Sequence, residues 1–306
     1  METFDLGLAY VWEFDDDFIK LIETILARNN ISTYRISYHN FKEVRNKLNS
    51  KKLHFNFYLD RAWDVEDDFG AMGNLLRKRG TQFFNEYDKV THAIDKANMH
   101  LEFITAGLNV PYSIIIPPYN HFEEIFLSIN DLRKLGRPFI IKPCNTTGGG
   151  VGVVTGAETL REVIEERATN SNDKYLLQEK IFPKMLNGNR GWFRTFWAFG
   201  EAIPVWWDDQ THLYELLTAK PIDEFGLKKL FSLTKTIARV TSLDFFSTEI
   251  VFTEKNNFVV IDYVNDQCDM RFQSLHKDGV PDSIVTRIIN NLAKNIIRLK
   301  KQKRSF

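Results

Sequence analysis

The sequence predicts an α/β protein of three lobes, the first built on a parallel sheet. Three observations predict it. Apolar strand segments alternate with helical patterns through the first 90 residues, the mark of a parallel sheet with helical crossovers. An apolar strand ending in lysine runs into a glycine-rich stretch near residue 145. Beyond residue 175 the pattern turns to strands, and a late hairpin carries acids within apolar runs. At 306 residues and 43 % hydrophobic residues, the chain is long enough for two or three cores.

Residues 5–12 read as a buried first strand, followed by an acidic loop from Glu13 to Asp17. Phe18, Ile19, Ile22 and Ile25 then recur at helical spacing, with Asp15 or Asp16 as N-cap. A second strand fits Thr33–Ser37 and a third fits His54–Leu59, which ends in Asp60-Arg61. In such a sheet the strand C-termini face the ligand. The first lobe is placed at residues 1–90. A second lobe, 91–174, holds a helix over Thr91–Ala106 with Gly107 as C-cap, a strand over Tyr112–Ile116 and a helix over Phe122–Leu135. The lysine strand, the glycine stretch, a return strand Val151–Val154 and a helix near Ala157–Arg167 complete it. The third lobe, 175–306, begins with the strand Leu176–Ile181. It continues with a hairpin over Trp192–Trp207, a helix over Gly226–Thr241, the acidic hairpin turning at Asn256-Asn257, and a closing helix over Asp282–Leu299.

Composition excludes several classes. Lysine plus arginine equals aspartate plus glutamate at 40 each, against the basic excess of a dedicated nucleic-acid binder. No run of about 18 apolar residues predicts a membrane span. Met1-Glu2-Thr3-Phe4-Asp5 lacks a signal-peptide core, and two cysteines make neither a zinc site nor a disulfide scaffold. The expected compartment is cytoplasmic. No phosphate-loop signature ending in Gly-Lys-Ser/Thr is present, and the basic tail Lys300–Arg304 reads as a solvated helix end.

The chemistry-bearing residues are scattered. Lys142 ends Phe139-Ile140-Ile141, and Thr146, Thr147, Gly148, Gly149 and Gly150 follow. Consecutive glycines let backbone N–H groups approach a polyphosphate, and the lysine supplies a point charge. A hairpin with a loose tip is the competing reading. Glu249 lies mid-strand between apolar residues, and Asp262 and Asn265 lie on the next strand. Two carboxylates and an amide oxygen suit magnesium, with manganese as substitute. An edge strand with solvated acids is the alternative.

In this order the elements resemble the ATP-grasp superfamily: Asp95-Lys96, Ile140-Ile141-Lys142-Pro143 with its glycines, Gln178-Glu179-Lys180-Ile181, Phe193-Arg194, and Glu249 with Asp262 and Asn265. The resemblance implies a fold in which ATP is held between two lobes behind an N-terminal parallel-sheet lobe. It implies that Lys96 and Lys142 meet phosphates or the base edge, that the glycines close as a lid, and that backbone groups of Gln178, Glu179, Lys180 and Ile181 hold adenine. Arg194 would face the triphosphate or an acyl phosphate, and Glu249, Asp262 and Asn265 would hold magnesium. Two departures stand out. The family ending places its acid and asparagine two apart, whereas Tyr263 and Val264 separate this pair. In a flat strand that parity splits the pair between faces; a bulge restores it, or Asp266 replaces Asn265. No acid suited to the ribose lies in Pro183–Arg190.

The implied reaction is ligation of a carboxylate to an amine (or thiol) through an acyl phosphate. The implied partners are small carboxylates and amines, amino acids or a peptide, with no nucleic acid and no membrane; a homodimer is allowed for. Arg271, in the stretch after the metal strand, is the expected carboxylate clamp, with Ser274 and His276 beside it. Glu13, Asp60 and Arg61, at the ends of first-lobe strands, are expected to face the same cleft; Glu13 competes as a helix-capping acid. The alternatives from other classes are a kinase of the same fold acting on a hydroxyl and a non-catalytic nucleotide-binding protein.

Overall fold

The computed structural model describes residues 1–121, 124–145 and 151–303. The first sheet is parallel, with strand order β2-β1-β3-β4. Its elements are β1 (Glu2–Tyr10), α1 (Asp16–Arg28), β2 (Thr33–Ile36), α2 (Phe41–Asn49), β3 (Leu53–Arg61), α3 (Asp67–Lys78) and β4 (Gln82–Phe84). Leu6, Leu8, Phe57 and Leu59 point to the face covered by α1, and Ala9, Phe55 and Tyr58 to the face covered by α2 and α3. Asp15 occupies the N-cap of α1 as expected, but its carboxylate does not cap. It takes a two-pronged ion pair from buried Arg61, at 2.8 Å on each oxygen.

The predicted helix over Thr91–Ala106 is two helices, α4 (Tyr87–Ile94) and α5 (Lys96–Thr105). The break falls at Asp95, which has extended backbone and accepts from the amides of Ala97 and Asn98. An aspartate that bonds the next turn competes with continuing the preceding one. Gly107, at φ 75°, lies just past α5, as its expected cap role requires.

The second sheet has order β5-β8-β6-β7, all neighbours antiparallel. It comprises β5 (Ser113–Ile116), α6 (Ile129–Leu135), β6 (Phe139–Pro143), β7 (Val154–Ala157), α7 (Leu160–Thr169) and β8 (Tyr175–Glu179). Three details differ from the sequence reading. Of the helix expected over Phe122–Leu135, residues 122 and 123 lie outside the described residues, 124–128 are not helical, and α6 starts at a Ser128–Asp131 capping box. The return strand begins at Val154 rather than Val151. And β8, beyond the 91–174 range, is a central strand here.

The third sheet is antiparallel, with order β13-β12-β11-β14-β15. After a small hairpin of β9 (Met185–Leu186) and β10 (Asn189–Arg190) come β11 (Trp192–Ala198), β12 (Glu201–Trp207), β13 (Tyr214–Glu215), α8 (Ala219–Glu224), α9 (Lys229–Thr241), β14 (Phe245–Phe252), β15 (Phe258–Asn265) and α10 (Asp282–Lys303). Phe199 and Gly200, both at positive φ, make the tight β11–β12 turn. One face of this sheet packs on α4, α5 and α9 through Phe193, Phe246, Ile250 and Tyr263. Its other face joins the first sheet at one end, where Phe196, Ile203 and Phe245 share a core with α1 and α10. Both cysteines, Cys144 and Cys268, are buried and unpaired. Among the described residues no helix is long and apolar enough to cross a membrane.

The β3 end carries a buried carboxylate. Asp60 accepts from the amides of Ala62 and Trp63 and from the Tyr87 hydroxyl. Gly73 makes room for that hydroxyl, since a Cβ there would lie 1.9 Å from it. Burial lifts the Asp60 pKa to about 6, against the opposing hydrogen bonds. Between about pH 4 and 6 the folded chain therefore keeps a proton that the unfolded chain releases. The contribution is complete below that window and lost above it. We predict that the stability of the wild type, measured against Asp60→Asn by urea unfolding, falls by roughly 2–3 kcal/mol between pH 4 and 7. A pH-independent difference would refute the assignment.

Candidate functional site

The site lies where β6 of the second sheet faces β11, β14 and β15 of the third. Alternation along β14 puts Phe246, Ile250 and Phe252 on the helix side, leaving Glu249 on the opposite face. Glu249 pairs directly with Arg194 of β11 and with Asp262 of β15. Its carboxylate takes the Arg194 guanidinium and the Trp192 indole N–H, the latter at 3.1 Å. Arg194 also lies over the Trp207 ring, 4.5 Å from its centroid, and donates to the Tyr214 hydroxyl at 3.2 Å. Although burial opposes it, the Glu249 carboxylate holds the Arg194 pKa above its ordinary value. The Nε–H of Arg194 is buried with no acceptor among the described residues. A buried donor left unmatched is costly, so an acceptor supplied there would be stabilising.

Two irregularities in β15 decide what faces Glu249. The pairing runs Ser247↔Asn265, Glu249↔Asp262, Ile250↔Val260, so β15 carries an extra residue on each side of Asp262. The packing follows. Ile261 joins Val251 and Val259 on the Glu249 side, while Tyr263 and Val264 both sink into the core beneath α4, α5 and α9. Asp262 and Asn265 are each half-buried between fully buried neighbours. The separation that divides them in a flat strand thus leaves both on the Glu249 face. Tyr263 is pinned at its hydroxyl by His100 Nδ1 at 2.6 Å and Gln178 Nε2 at 3.4 Å. Burial lowers the His100 pKa, favouring the neutral ring. Among the described residues no three His, Cys, Asp or Glu side chains converge on one point. The set here is two carboxylates and an amide, a hard-oxygen donor set that fits magnesium.

From the other side, Lys142 donates to the carbonyl of Ile261 at 3.0 Å. Burial lowers its pKa, with nearby Lys96 adding to the effect and Asp262 and Glu249 opposing it. Five of the expected residues, Lys142, Arg194, Glu249, Asp262 and Asn265, are thus brought together. Lys96 is the first residue of α5, and its amide donates to Cys144 at the end of β6. Asp95 accepts Lys174 at 2.7 Å, while Asp173 takes the Asn145 amide and side chain at 2.8 Å each. The root of the glycine stretch is therefore clamped. Thr146, Thr147, Gly148, Gly149 and Gly150 lie outside the described residues.

No protein-family model matches the sequence, and no curated protein matches it. Solved structures do. A D-alanine–D-alanine ligase from Bacillus anthracis complexed with ATP superposes with a TM-score of 0.66 at 14 % identity, covering 98 % of this chain and 99 % of that one. A RimK-domain ATP-grasp protein from Sphaerobacter thermophilus gives 0.64 at 18 %, covering 95 % and 98 %. The ATP-grasp ligase PsnB, complexed with precursor peptide PsnA2 and AMPPNP, gives 0.61 at 12 %, covering 95 % and 98 %. The chain has the ATP-grasp fold.

Within the ATP-grasp fold the remaining candidates have varied surroundings. Gln178 spends its amide on Ser113 and Tyr263. Glu179 takes the Tyr112 amide at 2.7 Å, Lys180 donates to the Thr155 carbonyl, and Ile181 packs beside Val251 and Ile261. Asp266, the alternative ligand, turns away. It is buried against Asn85, and burial lifts its pKa to about 7. Asp60 and Arg61 are engaged internally, Arg61 also donating to the Cys268 carbonyl at 2.9 Å. Arg271 is held by Asp269 and Asp278 and lies 6.0 Å from the Trp12 ring. Ser274 bonds Asp282 at the start of α10. His276 meets Phe14 edge-on at 5.5 Å, and Glu13 is exposed. The sequence reading assigned no role to Asp95, Asp173, His100 or Tyr263. Only Asp95 carried a local signal, as a capping acid before Lys96.

Proposed function

We propose that the chain is an ATP-dependent ligase joining a carboxylate to an amine. The observation that carries the reading is the juxtaposition of Lys142, Glu249 and Asp262: an ammonium from the second sheet rests on the residue beside the acid pair of the third. In the reading, the substrate carboxylate oxygen attacks the γ-phosphorus of ATP and the bond to the β-phosphate oxygen breaks, releasing ADP. The amine then attacks the acyl carbon, phosphate leaves, and the amine proton passes to phosphate or solvent. Lys142 and Lys96 balance phosphate charge, and Arg194 offers its unused N–H to the transferred group. Glu249, Asp262 and Asn265 would hold magnesium, which when bound would neutralise phosphate charge. No side-chain nucleophile is needed; positioning and charge compensation do the chemistry. ATP-grasp ligases of the same fold, one complexed with a precursor peptide, support the reading.

The deciding test uses hydroxylamine in place of the amine, with Mg-ATP and a panel of carboxylates including amino acids and peptides. The expected products are ADP, phosphate and a hydroxamate. Phosphate transfer to a hydroxyl, with no hydroxamate from any carboxylate, would overturn the reading in favour of a kinase. Lys142→Ala should weaken Mg-ADP at least tenfold, about 1.4 kcal/mol, with the fold intact by circular dichroism; unchanged affinity removes Lys142 from the site. Tyr263→Phe keeps the ring but frees the twice-bulged strand from His100 and Gln178. It should raise the magnesium concentration for half-maximal turnover several-fold while shifting Tm by only a few degrees. A lower Tm with unchanged magnesium dependence would make the anchor purely structural.

A further inference from the structure

Two loops at the carboxyl edge of the first sheet repeat one pattern that the proposed chemistry leaves unused. Trp12-Glu13-Phe14-Asp15-Asp16-Asp17 follows β1, and Trp63-Asp64-Val65-Glu66-Asp67-Asp68 follows β3. The strands are neighbours, with Tyr10 opposite Arg61, so each tryptophan stands two residues beyond a matched strand end. Eight acids and no base occupy these twelve positions. Beside them, Tyr38 follows β2, the other neighbour of β1.

This edge is apolar as well as acidic. Trp12 is 40 % exposed, Phe14 42 %, Tyr38 54 % and Val65 62 %. The patch is continuous. Tyr38 reaches Glu66 at 2.6 Å, Asp15 ties one loop to the other through Arg61, and Trp12 packs on Phe14, which leans on His276. Nearby bases cancel part of the charge: Asp15 pairs with Arg61, Asp16 with Arg35 and Lys20, Asp17 with Lys20, and Asp68 with Arg45. Arg271 is matched by Asp269 and Asp278. Glu13, Asp64 and Asp67 enter no ion pair among the described residues. Gln267, two residues beyond Asn265, donates its side-chain amide to the Asp60 carbonyl at 3.2 Å, so the β3 end of the patch adjoins the stretch that follows Asn265.

We propose that this edge is a docking surface for an extended peptide segment carrying lysine or arginine, leading into the cleft beside Asn265. The segment's destination rests on the ligase reading; the surface itself does not. Exposed aromatics flanked by carboxylates complement a side chain with an apolar stem and a cationic head. From β2 to β3 the edge spans two strand spacings, roughly 10 Å, which an extended chain covers in about three residues and a single amino acid does not. In open α/β sheets, ligands gather at this end of the strands.

The test is fluorescence anisotropy with a labelled peptide of alternating lysine and leucine, its glutamate–leucine counterpart, and spermidine as competitor. The lysine peptide should bind and weaken with added salt, and the glutamate peptide should not bind. Trp12→Ala with Phe14→Ala should weaken the lysine peptide at least tenfold, Trp12→Phe should keep most of the binding, and Mg-ADP affinity should be unchanged in both variants. Equal binding of both peptides, indifference to the double substitution, or competition by spermidine as effective as by unlabelled peptide would each overturn the proposal. If Mg-ADP binds the wild type but the lysine peptide does not, this inference alone falls. If Mg-ADP does not bind, the ligase reading falls, and the peptide result still judges the surface.

Discussion

The double irregularity of β15 is the constraint on which the site depends. A strand buried on both sides normally alternates, and alternation would send Asp262 and Asn265 in opposite directions. Two extra residues change the parity twice within five positions. The local cost is ladder hydrogen bonds given up at the bulges. It is offset by the sinking of Tyr263 and Val264 into a core already built by α4, α5 and α9. The polar set is thus held by apolar packing on the reverse of the same strand. The hydroxyl of Tyr263 adds a polar tie to α5 and β8, the elements that approach the site from the second sheet.

The lobes are joined unequally. The first and third sheets share a core through α1 and α10, and buried polar ties reinforce it. Arg61 bridges Asp15 and the Cys268 carbonyl, and Asn85 binds the backbone of Asp244 and Phe245 together with Asp266. Removing one member of such a buried set is costly, because it strands the others away from water. The second sheet meets the third chiefly through the Lys142 contact, the Tyr263 network and the α4–α5 packing.

Local pattern made much of this legible. The apolar runs of β1 and β3 and the glycine turns gave strand placement, because burial on both faces leaves its mark in sequence. Lys142, Glu249 and Asp262 stood out as charges within apolar strands, and the structure brings them together. The helix break at Asp95 was hidden because Ile94 and Ala97 continue the apolar spacing across it; the capping bonds outweigh the periodicity. Arg61 and Asp60 depart from the expectation for a related reason. A polar residue at a strand end reads as cleft-facing, and only tertiary partners 46 and 27 residues away show that these two are satisfied inside. The bulges themselves depend on cross-strand register, which no single segment encodes.

The burial of both cysteines has a practical consequence. Packing pushes each thiol up to about 12, so near neutral pH neither offers the thiolate that alkylating reagents attack. With both thiols buried, the native chain is expected to take up maleimide dyes far more slowly than an exposed cysteine does. A pair of cysteines introduced at exposed Asn130 on α6 and Lys220 on α8 would take up label alone, turning the separation of the second and third sheets into an optical distance without a cysteine-free background.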